Sequence, residues 1–108
     1  MIINGVGTLG RDAEVKFIPA GTAVASLALA FNYGKKENGQ RPTQWIEAAL
    51  WGKQAESLAQ YLLKGTKLDV ALTDVHIETY AKKDGVQQSK LVGRVINIDF
   101  VGGGQRQQ

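Results

Sequence analysis

The segment from Thr43 to Gly52 alternates aliphatic residues with larger or charged ones, a period of two residues. The even positions of one face are Ile46, Ala48 and Leu50. The odd positions of the other face include Trp45, Glu47 and Trp51. This period predicts a half-buried strand with both tryptophans exposed on the side of the glutamate. At about 3.3 Å per residue the rings would stand roughly 20 Å apart, a platform too wide for one small aromatic ligand.

A helical spacing replaces the period of two after Gly52. Apolar residues recur at i, i+3, i+4 and i+7, namely Ala55, Leu58, Ala59 and Leu62. This stripe predicts a short amphipathic helix with Lys64 in its last turn and Gly65 directly after its end.

Two alternating segments precede the tryptophan strand. Residues 12–19 alternate like a strand, and residues 23–31 form a longer one with small residues on one side. Tyr33 closes the second segment in the phase of Phe31. A polar loop at 35–42 follows, with Asn38-Gly39 at its tip, a dipeptide typical of hairpin turns.

Two more strands follow the helix. Apolar residues of one phase are Leu68, Val70 and Leu72, and those of the other are Val75 and Ile77. The buried face therefore changes sides near Thr73-Asp74, which indicates a bulge. The outer side of the second half then carries His76, Glu78 and Tyr80. After a hairpin at 82–85, the last strand has one apolar phase made of Val92, Ile96, Ile98 and Phe100.

Five strand segments with one helix between the third and fourth indicate an all-β fold, a five-stranded Greek-key barrel of the OB-fold type. Such barrels bind single-stranded nucleic acid on an exposed face and its hairpin loops. We expect one domain over residues 1–101 and a disordered tail over 102–108, which has nothing to bury.

The first strand contains a glycine pattern that matches the dinucleotide-binding turn, Gly5-Val6-Gly7-Thr8-Leu9-Gly10. That turn needs a buried strand before it and a helix after it. Only four residues precede Gly5, and a strand pattern follows. A glycine-kinked strand in a small barrel is the better interpretation.

Composition narrows the function classes. Thirteen Lys and Arg against ten Asp and Glu leave a net charge of +3, which permits an anionic partner without requiring one. The absence of cysteine, of a secretory leader and of a membrane-length apolar run predicts a soluble cytoplasmic protein without disulfides. With a single histidine and no nucleophile, base or metal ligands at motif spacing, we expect no enzyme activity, no metal and no cofactor.

The sequence also resembles the bacterial single-stranded DNA-binding proteins of the replication machinery. The matching stretches cover nearly the whole chain in order, at residues 7–17, 21–30, 43–45, 50–56 and 61–65. The resemblance implies sequence-independent binding and protection of single-stranded DNA in replication, repair and recombination. It further implies a nucleoid-associated homo-oligomer, usually a tetramer and otherwise a dimer.

In this family the strand wraps over aromatic rings set in a basic surface. The corresponding rings are Trp45, Trp51, Tyr80 and Tyr33. The corresponding cations are Lys16, Lys53 and Lys64, with Lys35, Lys36, Arg41, Lys82 and Lys83 reaching from the hairpins.

Three departures from the family pattern matter. The His-Arg pair that usually follows the first tryptophan is Ile46-Glu47 here, and acidic residues accompany His76 before Tyr80. We therefore expect weaker and less salt-sensitive binding. The acidic tail that recruits replication and repair proteins in the family is missing after Gly104, so we expect either a truncated form or a protein that does not recruit those partners in this way.

One alternative remains open from the residues. Large aromatics are common interface anchors, so both tryptophans could be buried by another subunit. The nearest such case is a primosomal protein, a dimer of the same fold.

Overall fold

The computed structural model describes residues 1–33, 38–39 and 42–101. Within these residues the chain forms six strands and one α-helix that continues into a 3₁₀ turn. In chain order they are β1 (Ile3–Leu9), β2 (Glu14–Phe17), β3 (Ala23–Asn32), β4 (Thr43–Trp51), α1 (Lys53–Leu58), the 3₁₀ turn (Ala59–Tyr61), β5 (Lys67–Ala81) and β6 (Gln87–Phe100).

The strands form one mostly antiparallel sheet that closes on itself. Its order is β1-β5-β6-β4-β3-β2, and the end of β1 also pairs with β3 through Thr8 and Leu9. β1 and β2 together correspond to the first predicted strand, which is interrupted at residues 10–13. Five closed strands with one helix between β4 and β5 confirm the predicted all-β OB-fold barrel.

The inner faces of the strands fill the barrel with aliphatic side chains. β3 contributes alternate small and large residues that are fully buried, namely Ala23, Ala25, Leu27 and Leu29. The even positions of β4 and the predicted phase of β5 are buried with them. A closed sheet has a single interior, so the period of two correctly identifies most of the core.

The helix is shorter than its apolar stripe. α1 ends at Leu58, so the expectation that it would reach Lys64 is wrong. The carbonyl of Leu62 accepts a hydrogen bond of 2.8 Å from the N–H of Ala13 rather than from a further helical turn. Leu62 is still fully buried, and Gly65 adopts the positive φ of 90° expected after a helical segment.

β5 changes its buried face at a bulge, as predicted. It carries two residues, Asp74 and Val75, opposite the single residue Gly93 of β6. Asp74 adopts a positive φ of 54°. Leu72 and Val75 are consequently both buried although their positions differ in parity.

The second half of β5 leaves the barrel. Ile77, expected in the buried phase with Val75, is 68% exposed, so that expectation is wrong. Pairing between β5 and β1 ends at Leu72, opposite Ile3, and beyond that point the described chain gives β5 only β6 as a strand partner. Ile77 therefore lies on an edge strand beyond the closed part of the barrel, where no second layer of the described residues covers it.

β6 has an extra residue of its own. Asn97 and Val95 pair with consecutive residues of β5, so Ile96 bulges out. Val95 and Ile98 are both buried, whereas Ile96 is 52% exposed. The expectation of one face for Val92, Ile96 and Ile98 is wrong, because the bulge shifts the phase by one residue.

The two turns have the predicted backbone. Asn38 and Gly39 both have positive φ, as a type I′ hairpin turn requires. Gly85 has a φ of 86° and donates its N–H to the Lys82 carbonyl. No helix in the described ranges is long and apolar enough to cross a membrane.

Replacing isoleucine by alanine at two positions, in separate variants, tests the bulge in β6. We expect Ile98→Ala to lower the free energy of unfolding by about 2–4 kcal/mol, because Ile98 is in the core. Ile96→Ala is the matched control and should change it by less than about 1 kcal/mol, because Ile96 faces outward. Urea denaturation measures both values, and equal losses would contradict the phase shift.

Candidate nucleic-acid interface

β4 carries both tryptophans on the outer surface of the barrel. Trp45 is 51% exposed and Trp51 is 40% exposed, whereas the intervening even positions are in the core. β4 lies between β3 and β6 in the sheet, so the rings stand on a face made of three strands. The structure thereby confirms that the two largest aromatic side chains face outward.

The family-pattern departure at Ile46 does not change this surface. Ile46 is only 4% exposed and packs in the barrel core. An apolar residue there is an ordinary core residue, so it gives no support to a protein interface at β4. The departure that alters the outer face is Glu47, which is partly exposed beside the tryptophans.

The outward side chains of β3 next to the rings are small. Cross-strand pairing sets Val24 beside Trp51 and Ala30 beside Trp45. The outward residues between them are also small, namely Ser26 and Ala28. No large side chain of β3 covers the indole rings from this side, so both stay exposed.

Gly10 positions the ring of Trp45. A Cβ atom added to Gly10 would lie 2.5 Å from Cη2 and 2.6 Å from Cζ3 of the indole, closer than real Cβ contacts allow. The ring thus rests directly on the glycine backbone. Gly7 accommodates Phe31 in the same way, with a would-be Cβ 3.0 Å from that ring. These glycines make room for aromatic rings, which agrees with the structural interpretation of the glycine pattern.

β6 brings two cations to the aromatic rings. The guanidinium carbon of Arg94 lies 5.5 Å from the centroid of the Trp51 ring, and Nζ of Lys90 lies 5.4 Å from that of Tyr80. Both distances fall within the range of cation–π contacts. Tyr80 itself is exposed on β5, as predicted.

Neither Lys90 nor Arg94 is evident from the sequence. They have the same parity as Ile98, so uninterrupted alternation would turn them toward the core. The bulge at Ile96 reverses that phase, and Gly93 instead faces the core residues Leu72 and Val75. A bulge of this kind has no strong sequence signature, which is why both cations were missed.

An ion pair crosses the face between β4 and β6. Nζ of Lys90 donates a hydrogen bond of 3.3 Å to Oε1 of Glu47. The two side chains are 38% and 41% exposed, so water screens the pair. Pairs of this kind contribute at most about 1 kcal/mol to stability.

His76 bridges two acceptors on the outer side of β5. Its Nδ1 lies 2.6 Å from the carbonyl oxygen of Asp74, and its Nε2 lies 3.2 Å from Oε2 of Glu78. The Asp74 carbonyl first, and then the Glu78 carboxylate, raise the pKa of His76 above its ordinary value of 6.5, since both favour the imidazolium form. Val92 connects His76 by cross-strand pairing to Glu47.

The remaining predicted contacts occupy several positions. Lys16 is in line with Trp51, because both pair with Val24. Lys53 begins α1 two residues after Trp51, and Tyr33 is exposed at the end of β3.

The other predicted cations are farther from β4 in the sheet. Lys82 and Lys83 are exposed at the tip of the β5–β6 arm. Lys64 lies between the 3₁₀ turn and β5, where its N–H donates to Oδ1 of Asp12, and no strand pairing connects it to β4. Lys35, Lys36, Arg41 and the predicted tail at 102–108 lie outside the described residues.

The described residues contain no group of three or more His, Cys, Asp or Glu side chains that could hold a metal ion. This face carries exposed aromatic rings, cations beside two of them, and the small outward side chains of β3. Such a surface can stack flat groups and contact anions without making or breaking bonds.

Comparison with known proteins agrees with this geometry. Residues 1–101 match the model of the single-strand binding protein family. The chain is 42% identical over 84 residues to single-stranded DNA-binding protein 3 of Clostridium acetobutylicum, covering 77% of this chain and 58% of that protein. It is 35% identical over 102 residues to single-stranded DNA-binding protein 1 of Synechocystis sp., covering 93% of this chain and 82% of that protein.

The chain spans only about three-fifths of the two Clostridium acetobutylicum relatives it matches, 58% of one and 62% of the other. The family model nevertheless covers the whole barrel, from the first residue to the end of β6. The match favours a binding protein over an enzyme. On this evidence the chain belongs to the single-strand binding protein family.

Proposed function

We propose that this chain binds single-stranded DNA without sequence preference, by stacking bases on Trp45, Trp51 and Tyr80. The observation that carries the proposal is the pair of exposed tryptophans on the outer face of β4, above the small residues of β3. The names of the relatives give the same ligand for those proteins.

Stacking accounts for both parts of the proposed preference. Each base stacked on an aromatic ring contributes about 1–3 kcal/mol, and every base has a π-face, so any sequence is accepted. Duplex DNA hides those faces inside the helix. A platform of exposed rings therefore favours single strands without reading base edges.

Cations around the rings would contact the phosphates. Lys16 and Arg94 lie near Trp51, and Lys90 lies near Tyr80. Each phosphate contact on a single strand adds about −0.7 to the slope of log affinity against log salt concentration. The carboxylates of Glu47 and Glu78 on the same face reduce the net positive charge, so we expect a shallow slope.

The cellular role follows from this binding mode. Coating exposed strands protects them and melts stray hairpins during replication, repair and recombination, in the cytoplasm at the nucleoid. Self-association into a dimer or tetramer is supported by β1. Within the described residues, Ile3 to Gly7 pair only with β5, so the other edge of this part of the strand is open to a second chain. The neighbouring apolar side chains Met1, Ile2 and Val6 are exposed in the single chain.

Burial of both tryptophans by another subunit is the competing function. It rests on large aromatics being common interface anchors, and Ile46, the apolar departure beside Trp45, does not add to it because Ile46 belongs to the core. The cations beside Trp51 and Tyr80 also favour an anionic partner over an apolar protein surface.

Removing the rings should remove binding. Titration with oligothymidine should quench the tryptophan fluorescence, and equal-length duplex should not. We expect Trp45→Ala and Trp51→Ala each to weaken binding roughly 5- to 150-fold, the equivalent of about 1–3 kcal/mol. Tyr61→Ala is the control, because Tyr61 is an exposed ring that packs edge-on against Phe100 outside this face. Absence of quenching by the single strand would overturn the proposal.

Binding should also depend on pH through the single histidine of the sequence. The raised pKa keeps His76 charged to higher pH in the folded chain, so its stabilising contribution is complete below about pH 6.5 and is lost as pH rises through the raised pKa. The same proton adds a positive charge to the DNA face. Affinity for oligothymidine should therefore fall over that pH window.

The histidine signal in a proton NMR titration should report a pKa above 6.5. Glu78→Gln should lower it only in part, because the Asp74 carbonyl is the larger cause. His76→Gln should flatten the pH dependence of binding over the same window. A measured pKa at or below 6.5 would contradict the geometry at Asp74.

A further inference from the structure

Lys90 occupies a central position on the outer face. It lies on β6, between β4 and the second half of β5. The parallel register that pairs Ile46 with Leu91 sets Trp45 beside Lys90 on one side. Tyr80 lies under its Nζ on the other side, 5.4 Å away at the ring centroid. The Trp45 indole extends from β4 over Gly10, so Lys90 lies between the backbone of Trp45 and the ring of Tyr80, within reach of the phosphates of a strand stacked on these rings.

The ammonium group is already engaged by Glu47. The distance from Nζ to Oε1 is 3.3 Å, and both groups are accessible to solvent. A carboxylate and a phosphate offer the same chemistry to a lysine, namely anionic oxygens that accept its three N–H donors. An ammonium group can contact two acceptors at once, but two anions held side by side on it repel each other, so phosphate and Glu47 compete for Lys90.

A second carboxylate, that of Glu78, lies opposite Lys90 but forms its ion pair with His76 instead. Glu78 is the cross-strand partner of Lys90 on β5, but its Oε2 lies 3.2 Å from Nε2 of His76. In its cross-strand row Glu47 is flanked by Val92 on β6 and Ala28 on β3, which bring no charge. Glu47 is therefore the group on the face that restrains Lys90.

The other half of the face differs in this respect. Arg94 covers Trp51, and within the described residues it makes no ion pair. Its nearest acidic position in the cross-strand row is Glu14, separated from it by Ser26 and Ala49. Arg94 beside Trp51 is thus available to a phosphate, whereas Lys90 beside Tyr80 has to be released from Glu47 first.

We infer that Glu47 is an intramolecular competitor for nucleic-acid phosphate, which holds Lys90 in the free protein and must be displaced when a single strand covers the Trp45–Tyr80 half of the face. This inference rests on the proposed function. It assigns Glu47 and Lys90 a role in setting affinity, with the Trp51–Arg94 half as the unrestrained part of the site. The exposed ion pair is weak enough to exchange, so it tunes binding instead of blocking it.

A double-mutant cycle separates competition from simple repulsion. The variants are Glu47→Gln, Lys90→Gln and the combination of both, with Asp69→Asn as a charge-matched control on the β1–β5 part of the barrel. Both sites of the cycle are exposed enough that the variants should fold, which thermal unfolding checks. The readout is oligothymidine affinity from tryptophan quenching at several salt concentrations.

Competition predicts that Glu47→Gln tightens binding about two- to fivefold, the range of an exposed ion pair. It also predicts a salt slope steeper by about 0.7, for one more phosphate contact. Both gains should vanish in the Lys90→Gln background, because the released cation is absent. Asp69→Asn should reproduce neither effect.

An equal gain from Glu47→Gln with or without Lys90 would show that the carboxylate only repels DNA at a distance, and it would overturn this inference. Unchanged affinity and slope in Glu47→Gln would do the same. In both cases the wild-type chain still binds oligothymidine, and the proposed function stands. A wild-type chain that binds no single strand at all would refute the proposed function together with the inference.

Discussion

A closed barrel has one interior, and each strand can turn only one of its faces toward it. In β4 the aliphatic side chains of Ile46, Ala48 and Leu50 occupy that interior. Burial of these groups drives the strand into a single register, because a slip by one residue would place two indoles in a space filled by alanine and leucine. The exposure of Trp45 and Trp51 is thus a direct consequence of core packing. The same constraint on β3 leaves only small residues beside the rings.

Two bulges then determine which side chains join the tryptophans. The bulge at Asp74 and Val75 carries β5 beyond β1 as an edge strand beside β6, where His76, Glu78 and Tyr80 share the outer face with β4. The bulge at Ile96 turns Lys90 and Arg94 outward on β6. Each bulge interrupts regular pairing locally. The first brings His76 to the face of β4, and the second brings Lys90 and Arg94.

The charges of this face are arranged as partners. Glu47 holds Lys90, Glu78 holds His76, and Arg94 lies over Trp51. All of these contacts are exposed and therefore weak and exchangeable, which is compatible with the proposed binding and release of a single strand. Position 47, where the family resemblance leads us to expect a positive charge, carries a carboxylate, and the cations of this face come from the neighbouring strand β6.

The sequence by itself determined the fold class, the core of β3 and β4, the two turns and the outward direction of both tryptophans. These features depend on local alternation and on glycine and asparagine at turns, which a single strand already contains. It also located the change of face near Asp74, because two apolar phases meet there.

Tertiary structure alone decided three features. The helical segment does not continue to Lys64, because the Leu62 carbonyl accepts a hydrogen bond from Ala13, and Ile77 is exposed because its strand runs beyond β1. Lys90 and Arg94 reach the aromatic rings because one inserted residue reverses the phase of β6. Each of these outcomes depends on pairing with a strand distant in the chain, and local periodicity contains no information about that pairing.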